Sequence, residues 1–169
     1  LGCSPAEMIE KLHIDNLAMA SANYVGPQPK DGEDIYGIKW RMVDYGTGAY
    51  NEAVSAPLAQ YNSVDEIEAN YVWPDPDWWD YSHLPEWVKG FEDRAIRGGG
   101  SEPFLLYKRL RGEEQAFIDL VENPEIVHYC LDKLFEIAYQ STLRTYEAIP
   151  GKVVVTYVAE DLGGQTALM

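Results

Sequence analysis

The sequence predicts an α/β protein built on parallel strands, and three observations lead there. The first is a near-continuous apolar, β-rich run, Val153-Val-Val-Thr-Tyr-Val158, which stops at Glu160-Asp161 and a Gly163-Gly164 turn. Unbroken runs of this kind suit strands buried on both faces, as in parallel sheets. The second is a candidate strand at Arg94-Ala-Ile-Arg97 that enters the glycine-rich loop Gly98-Gly99-Gly100. The third is the helical signal between them. A helix is expected from Pro103 to about Arg111, broken by Gly112, and another over 113–122. Asn123-Pro124-Glu125 opens a third with a capping residue, a proline at the first position and an acid facing the positive helix end. It runs to about Ala148, with Val127, Leu131, Leu134 and Ala138 at core-like spacing, and Pro150-Gly151 ends it. Strand, helices, strand is a βαβ unit, whose crossover is right-handed and whose strands are parallel. Ligands of such folds bind beyond the carboxyl ends of the strands.

The elements before it follow in order. Ser4-Pro5-Ala6-Glu7 has the form of a capping box and predicts a helix over about 5–13. Residues 22–34, rich in Pro, Gly and Asp, are a loop. Residues 35–61 read as a β-hairpin turning at Gly46-Thr47-Gly48, with Pro57 placing the returning strand at an edge. Ser63-Val-Asp-Glu66 is a second capping box, for a short helix ending near Asn70. Residues 71–91 are crowded with Tyr71, Trp73, Trp78, Trp79, Tyr81, Trp87 and Phe91; Pro74 and Pro76 make the first half irregular, and a helix covers about 83–92.

At 169 residues the chain is long enough for one domain with a core. Its net charge of −15 argues against nucleic acid and against an anionic membrane surface as partners. No apolar stretch approaches the roughly 18 residues of a membrane span. Cys3 and Cys130 do not suggest a disulfide framework, so a reducing, cytoplasmic compartment is the expectation. The chain stops just past the acids at the strand end and lacks an initiator Met, which leads us to expect an incomplete segment of a larger enzyme.

Four constellations could carry chemistry. Glu160 and Asp161 can hold a metal, take a proton or grip a base, Gly163-Gly164 permits close ligand approach, and Gln165 offers donor and acceptor; the same residues also suit a capped surface loop. The loop from Gly98 to Phe104 can present backbone N–H groups to an anion, or be a simple turn. Lys108, Arg109 and Arg111 can meet a carboxylate-rich ligand or pair with Glu113 and Glu114. The aromatic stretch 71–91 can stack a flat ligand in a non-catalytic acidic binding module, or fill a satellite core. His128-Tyr-Cys130 has the H-x-C form of some zinc sites, but on a helix its two side chains diverge by about 200°, so no metal is expected there. No Ser–His–Asp or Cys–His arrangement is evident.

Three segments together resemble the uroporphyrinogen decarboxylase superfamily, which includes the decarboxylases and the methylcobamide:coenzyme M methyltransferases. The stretch from Ala95 to Gly112 is similar to the family's strand, G-x-x-G-x-P-[WF] loop and helix. Asp119-Leu-Val-Glu-Asn-Pro-Glu125 is similar to its next helix start. Tyr157-Val-Ala-Glu-Asp-Leu-Gly-Gly-Gln165 is similar to the strand end D-D-L-G-x-Q of divergent members. The hairpin at 35–61 and Trp73-Pro-Asp-Pro76 resemble an insertion of those members. The resemblance implies a partial (β/α)8 TIM barrel with an N-terminal β-hairpin insertion, within which 94–169 is the βαβ portion. It also implies a lyase or methyltransferase acting on a carboxylated or methylated small molecule. Asp161 and Glu160 would be catalytic, and Gln165, Gly99, Gly100, Pro103 and Phe104 would contact substrate; the basic cluster adds Arg109 and Arg111 as expected substrate contacts. No cofactor is implied within this segment; zinc and a cobamide would belong to an intact methyltransferase-like enzyme. The decarboxylases' arginine motif, R-Q-A-G-R, is absent. An incomplete barrel leaves strand edges unpaired, which predicts homo-oligomers.

Overall fold

The computed structural model describes residues 2–160. Helix α1 spans Pro5–Lys11, and its capping box is formed as expected: the Ser4 hydroxyl accepts the Glu7 N–H and the Glu7 carboxylate accepts the Ser4 N–H. Strand β1, Ala18–Ala20, was not legible, because three residues are too few to show a period. Strand β2 is Asn23–Tyr24. The hairpin consists of β3, Trp40–Asp44, and β4, Ala49–Ala53, paired antiparallel and shorter than 35–61. The remainder of that segment docks on the helices instead, with Ile38 and Leu58 fully buried and the Leu58 N–H donating to the Leu110 carbonyl at 2.9 Å. Helix α2, Val64–Asn70, is capped by the Ser63 hydroxyl, but Glu66 reaches the N–H of Asn62 rather than of Ser63.

The aromatic stretch contains a 3-10 turn at Pro76–Trp78, strand β5 at Trp79–Asp80, and helix α3 at Leu84–Trp87, continued by a 3-10 turn over Val88–Phe91. Strand β6 is Ile96–Ser101. Gly98, Gly99 and Gly100 are therefore strand, not the loop expected from their composition. Helices α4 (Pro103–Arg111), α5 (Glu113–Glu122) and α6 (Pro124–Ala148) and strand β7 (Val153–Val158) fall where the sequence places them.

The protein is α/β. Its principal sheet has three parallel strands in the order β1-β6-β7, without closure into a barrel among the described residues; β2–β5 and β3–β4 are separate antiparallel pairs. Ala18 and Ala20 of β1, Ile96 of β6, Leu84 and Val88 from α3 and its continuation, and Ile149 after α6 form one core. The helices thus cover one face of the sheet. On β1, Met19 alternates away from that core and is 57% exposed. A larger core joins the hairpin segment, α2, α4, α5 and α6 around Ile38, Leu58, Ile67, Tyr107, Leu110 and Ile126. Among the described residues no helix is long and apolar enough to cross a membrane.

The glycines explain how α6 sits on the sheet. A Cβ on Gly99 would lie 2.5 Å from Thr142 Oγ1, and one on Gly100, where φ is 112°, would overlap the Tyr157 carbonyl oxygen. Register shifts accompany this approach: β7 carries an extra residue between Val153 and Val155, and β6 one between Arg97 and Gly100. These compensating bulges re-aim side chains without changing the direction of pairing. The expectation that β7 is buried on both faces is not met, since Val154 through Val158 are exposed. β7 ends the sheet order, so among the described residues β6 is its only strand neighbour.

Candidate sheet-face cleft

The carboxyl ends of β1 and β6 frame a cleft of about 250 Å³, lined by Ser21, Trp79, Arg97, Gly99, Gly100 and Ser141 among others. Arg97 supplies its charge. Its register partners are Met19 on β1 and Val155 on β7, which places it on the sheet face away from the helices. Its guanidinium lies 4.5 Å from the centroid of the Tyr157 ring, so the side chain leans toward the strand's carboxyl end. Stacking of this kind holds a guanidinium in place while leaving its edge donors free. Its Nε is buried and has no hydrogen-bond partner among the described residues. No carboxylate among the described residues pairs with it, in a chain of net charge −15. A buried donor without a partner carries a desolvation cost that a ligand oxygen can relieve.

Gly99 and Gly100 line this cleft. A neighbouring cavity of about 220 Å³ shares Trp79, Gly100 and Ser141 with it and adds Ser101, Glu102 and Pro103. Pro103 and Phe104 also line an apolar pocket of about 420 Å³ with Phe117, Leu131, Phe135 and Glu160. Glu160 is at the end of β7, but its chemistry is engaged. One carboxylate oxygen accepts the N–H of Phe104 at 2.7 Å and the other that of Leu105 at 3.1 Å. The residue at the cap position of α4, Glu102, makes no such bond with its own side chain. Glu160 therefore caps α4 from the adjacent strand and meets the positive end of its dipole. Asp161 and Gln165 lie outside the described residues.

The two arginines expected at the site are elsewhere. Arg109 is exposed at the far end of α4 and stacks over Trp40 of β3, 5.2 Å from the ring centroid. Arg111, expected to touch substrate, is instead a core residue, 2% exposed. Its Nε donates to Asp119 at 2.5 Å, and its Nη1 donates to the carbonyls of Leu58 and Tyr61. Asp119 also accepts from the Tyr107 hydroxyl and from the Gln115 and Asn123 amides. Burial raises the Asp119 carboxyl, but the hydrogen bonds from Arg111, Gln115 and Asn123 outweigh it, and the net direction is down. The Tyr107 hydroxyl is pushed up by burial and by the Asp119 charge. Burial likewise lifts the Cys130 thiol to about 12, which leaves it protonated and unreactive.

His128 is exposed and Cys130 buried, on opposite sides of α6, and no cluster of three His, Cys, Asp or Glu side chains exists among the described residues. His128 and Cys130 do not fit a zinc site. The aromatic stretch is divided among separate packing sites. Tyr71 and Trp73 meet edge-to-face and Trp73 meets Tyr129; Trp78 and Trp79 meet Tyr24; Trp87 packs on Phe91. Sequence reasoning missed Arg97 and Ser141 in the cleft's lining, and Tyr157, on which Arg97 stacks. The available signal was a cation at the carboxyl end of the candidate parallel strand, where charge is rarely buried without a purpose. Compared with models of protein families, with curated proteins and with solved structures, the chain has no match.

Proposed function

We propose that this chain forms one side of a uroporphyrinogen decarboxylase-like (β/α)8 barrel, and that its sheet face binds a carboxylated small molecule through Arg97. The unpartnered Arg97 guanidinium in the strand-end cleft carries the reading. Support for the barrel comes from three parallel strands in sequential order, with helices on one face and the other face bare. Right-handed crossovers in sequential order wind a sheet in one direction, as in barrels, rather than doubly as in open sheets. In a barrel the bare face of Met19, Arg97 and Tyr157 would look inward, toward the site.

In this reading the guanidinium takes a substrate carboxylate in a paired, charge-assisted contact. Ser101 and Ser141 add hydroxyls, and Gly99 and Gly100 keep the cleft floor low. Asp161 and Gln165 would orient the reacting group from the end of β7, with decarboxylation or methyl transfer as the reaction classes. Glu160 would act through structure, holding the start of α4 where Pro103 and Phe104 edge the site. Self-association through unpaired strand edges belongs to the same proposal.

The test is titration of the chain with citrate, followed by fluorescence of Trp79 in the cleft. Arg97→Gln is expected to weaken binding about tenfold or more, the value of one charge-assisted contact, with Arg97→Lys in between. Equal affinity of wild type and Arg97→Gln would overturn the proposal.

A further inference from the structure

A second cavity, between the hairpin and the corner where α4 meets α5, also gathers positive charge, with Glu113 as the acid beside it. Its volume is about 440 Å³, and Ser55, Leu105, Lys108, Arg109, Gly112 and Glu113 are among its walls. Leu105, Lys108, Arg109 and Gly112 recur at helical spacing, so one stripe of α4 faces the end of β4. The last turn of α4 suits cations, because carbonyl dipoles there are unfavourable for acids.

Lys108 is only 8% exposed, yet it makes no hydrogen bond within the described residues. Its stem lies between Phe104 and Phe117, with Nζ 5.8 and 5.7 Å from the ring centroids. The nearest carboxylate, Glu113, is 3.7 Å away, beyond hydrogen-bond length, on a side chain that is 75% exposed. Arg109 has the Trp40 face on one side and no carboxylate partner among the described residues. Helix α5, ten residues long, starts at the same wall. Its cap residue is Gly112, which has no side chain to satisfy the first N–H groups, and the first intrahelical bond is from Ala116 to the Gly112 carbonyl.

We propose that this cavity binds a small phosphate-bearing anion. The Lys108 ammonium, the Arg109 guanidinium fork and the uncapped N–H groups at the start of α5 meet at one cavity, and three kinds of donor suit the several oxygens of a phosphate dianion better than a flat carboxylate. Glu113 competes with the ligand for Lys108 and swings outward when the anion enters. The site stands on the helix side of the molecule and does not depend on the sheet cleft or on its ligand.

The sign of the Glu113 effect separates this proposal from a surface ion pair. The full chain carrying Arg97→Gln, so that the sheet cleft does not take the carboxylate, is titrated calorimetrically with inorganic pyrophosphate, with citrate as the carboxylate comparison. Saturable pyrophosphate binding is expected, weakened about tenfold or more in Arg109→Ala and in Lys108→Met, which keeps the apolar stem. Glu113→Gln is expected to tighten it severalfold. The proposal is overturned by no saturable binding, by citrate binding equally well, by an unchanged affinity in the exposed Arg109→Ala variant, or by weaker binding in Glu113→Gln.

Discussion

Two arginines fourteen positions apart, Arg97 and Arg111, have opposite fates. Arg111 lies in the helix side of the molecule, where its guanidinium meets a carboxylate and two carbonyls. Arg97 lies on the sheet side, stacked on Tyr157 with its Nε unanswered. The difference shows where the fold has completed its polar bookkeeping and where it has left a donor for something else. The sequence reading favoured Arg111 and Arg109 as ligand contacts because they cluster. What decides between them is not local. Asp119 is on the next helix, and Leu58 and Tyr61 come from the loop after the hairpin, some fifty residues earlier.

Removing the carboxylate that completes the helix side should produce the largest effect. Asp119→Ala leaves a buried guanidinium unpaired and deprives Tyr107, Gln115 and Asn123 of their acceptor, a loss of about 3–5 kcal/mol. Urea unfolding measures it, and a loss under about 1 kcal/mol would show that the network is not buried as described. The pH dependence has a definite sign. The folded carboxyl lies below its ordinary 3.8. Its contribution is complete above that value and disappears as the pH falls through the lower folded value. Wild type should therefore lose stability below about pH 4, and Asp119→Asn should lose this part of the dependence.

The sheet side can be broken at its backbone. Gly100→Ala places a methyl group against the Tyr157 carbonyl at a positive φ and should cost about 2–3 kcal/mol. Gly90→Ala, which meets open space, should stay within about 0.5 kcal/mol. Equal effects would mean that β6 and β7 do not approach as closely as they do here. The same glycines mark the limit of what the sequence could say. Caps were legible at Ser4 and Ser63, and a helix start and stop at Pro124 and Pro150, because each rests on neighbours within four residues; the expected cap at Asn123 is not made, since its side-chain amide donates to Asp119 instead. A run of three glycines reads as a loop when only neighbours are considered. Their reason for being in a strand is Thr142 and Tyr157, more than forty residues on. Glu160 was legible as a strand-end acid, but not its partners, the N–H groups of Phe104 and Leu105.

The outer edge of β7 should give the smallest change in stability and a separate readout. Val158 is paired with Ser101 yet 66% exposed, so Val158→Lys removes little buried surface and should alter stability by no more than about 0.5 kcal/mol. Its effect belongs to the other side of the strand pair. An apolar edge invites a further strand, and a lysine there disfavours one. Sedimentation of wild type is thus expected to show self-association that the variant reduces. A monomeric wild type would remove the edge as a docking line, whereas a stability loss above about 1 kcal/mol would mean that Val158 is covered within the single chain. Either result would narrow the contrast between the two sides to Arg97 itself, whose missing partner does not depend on what covers β7.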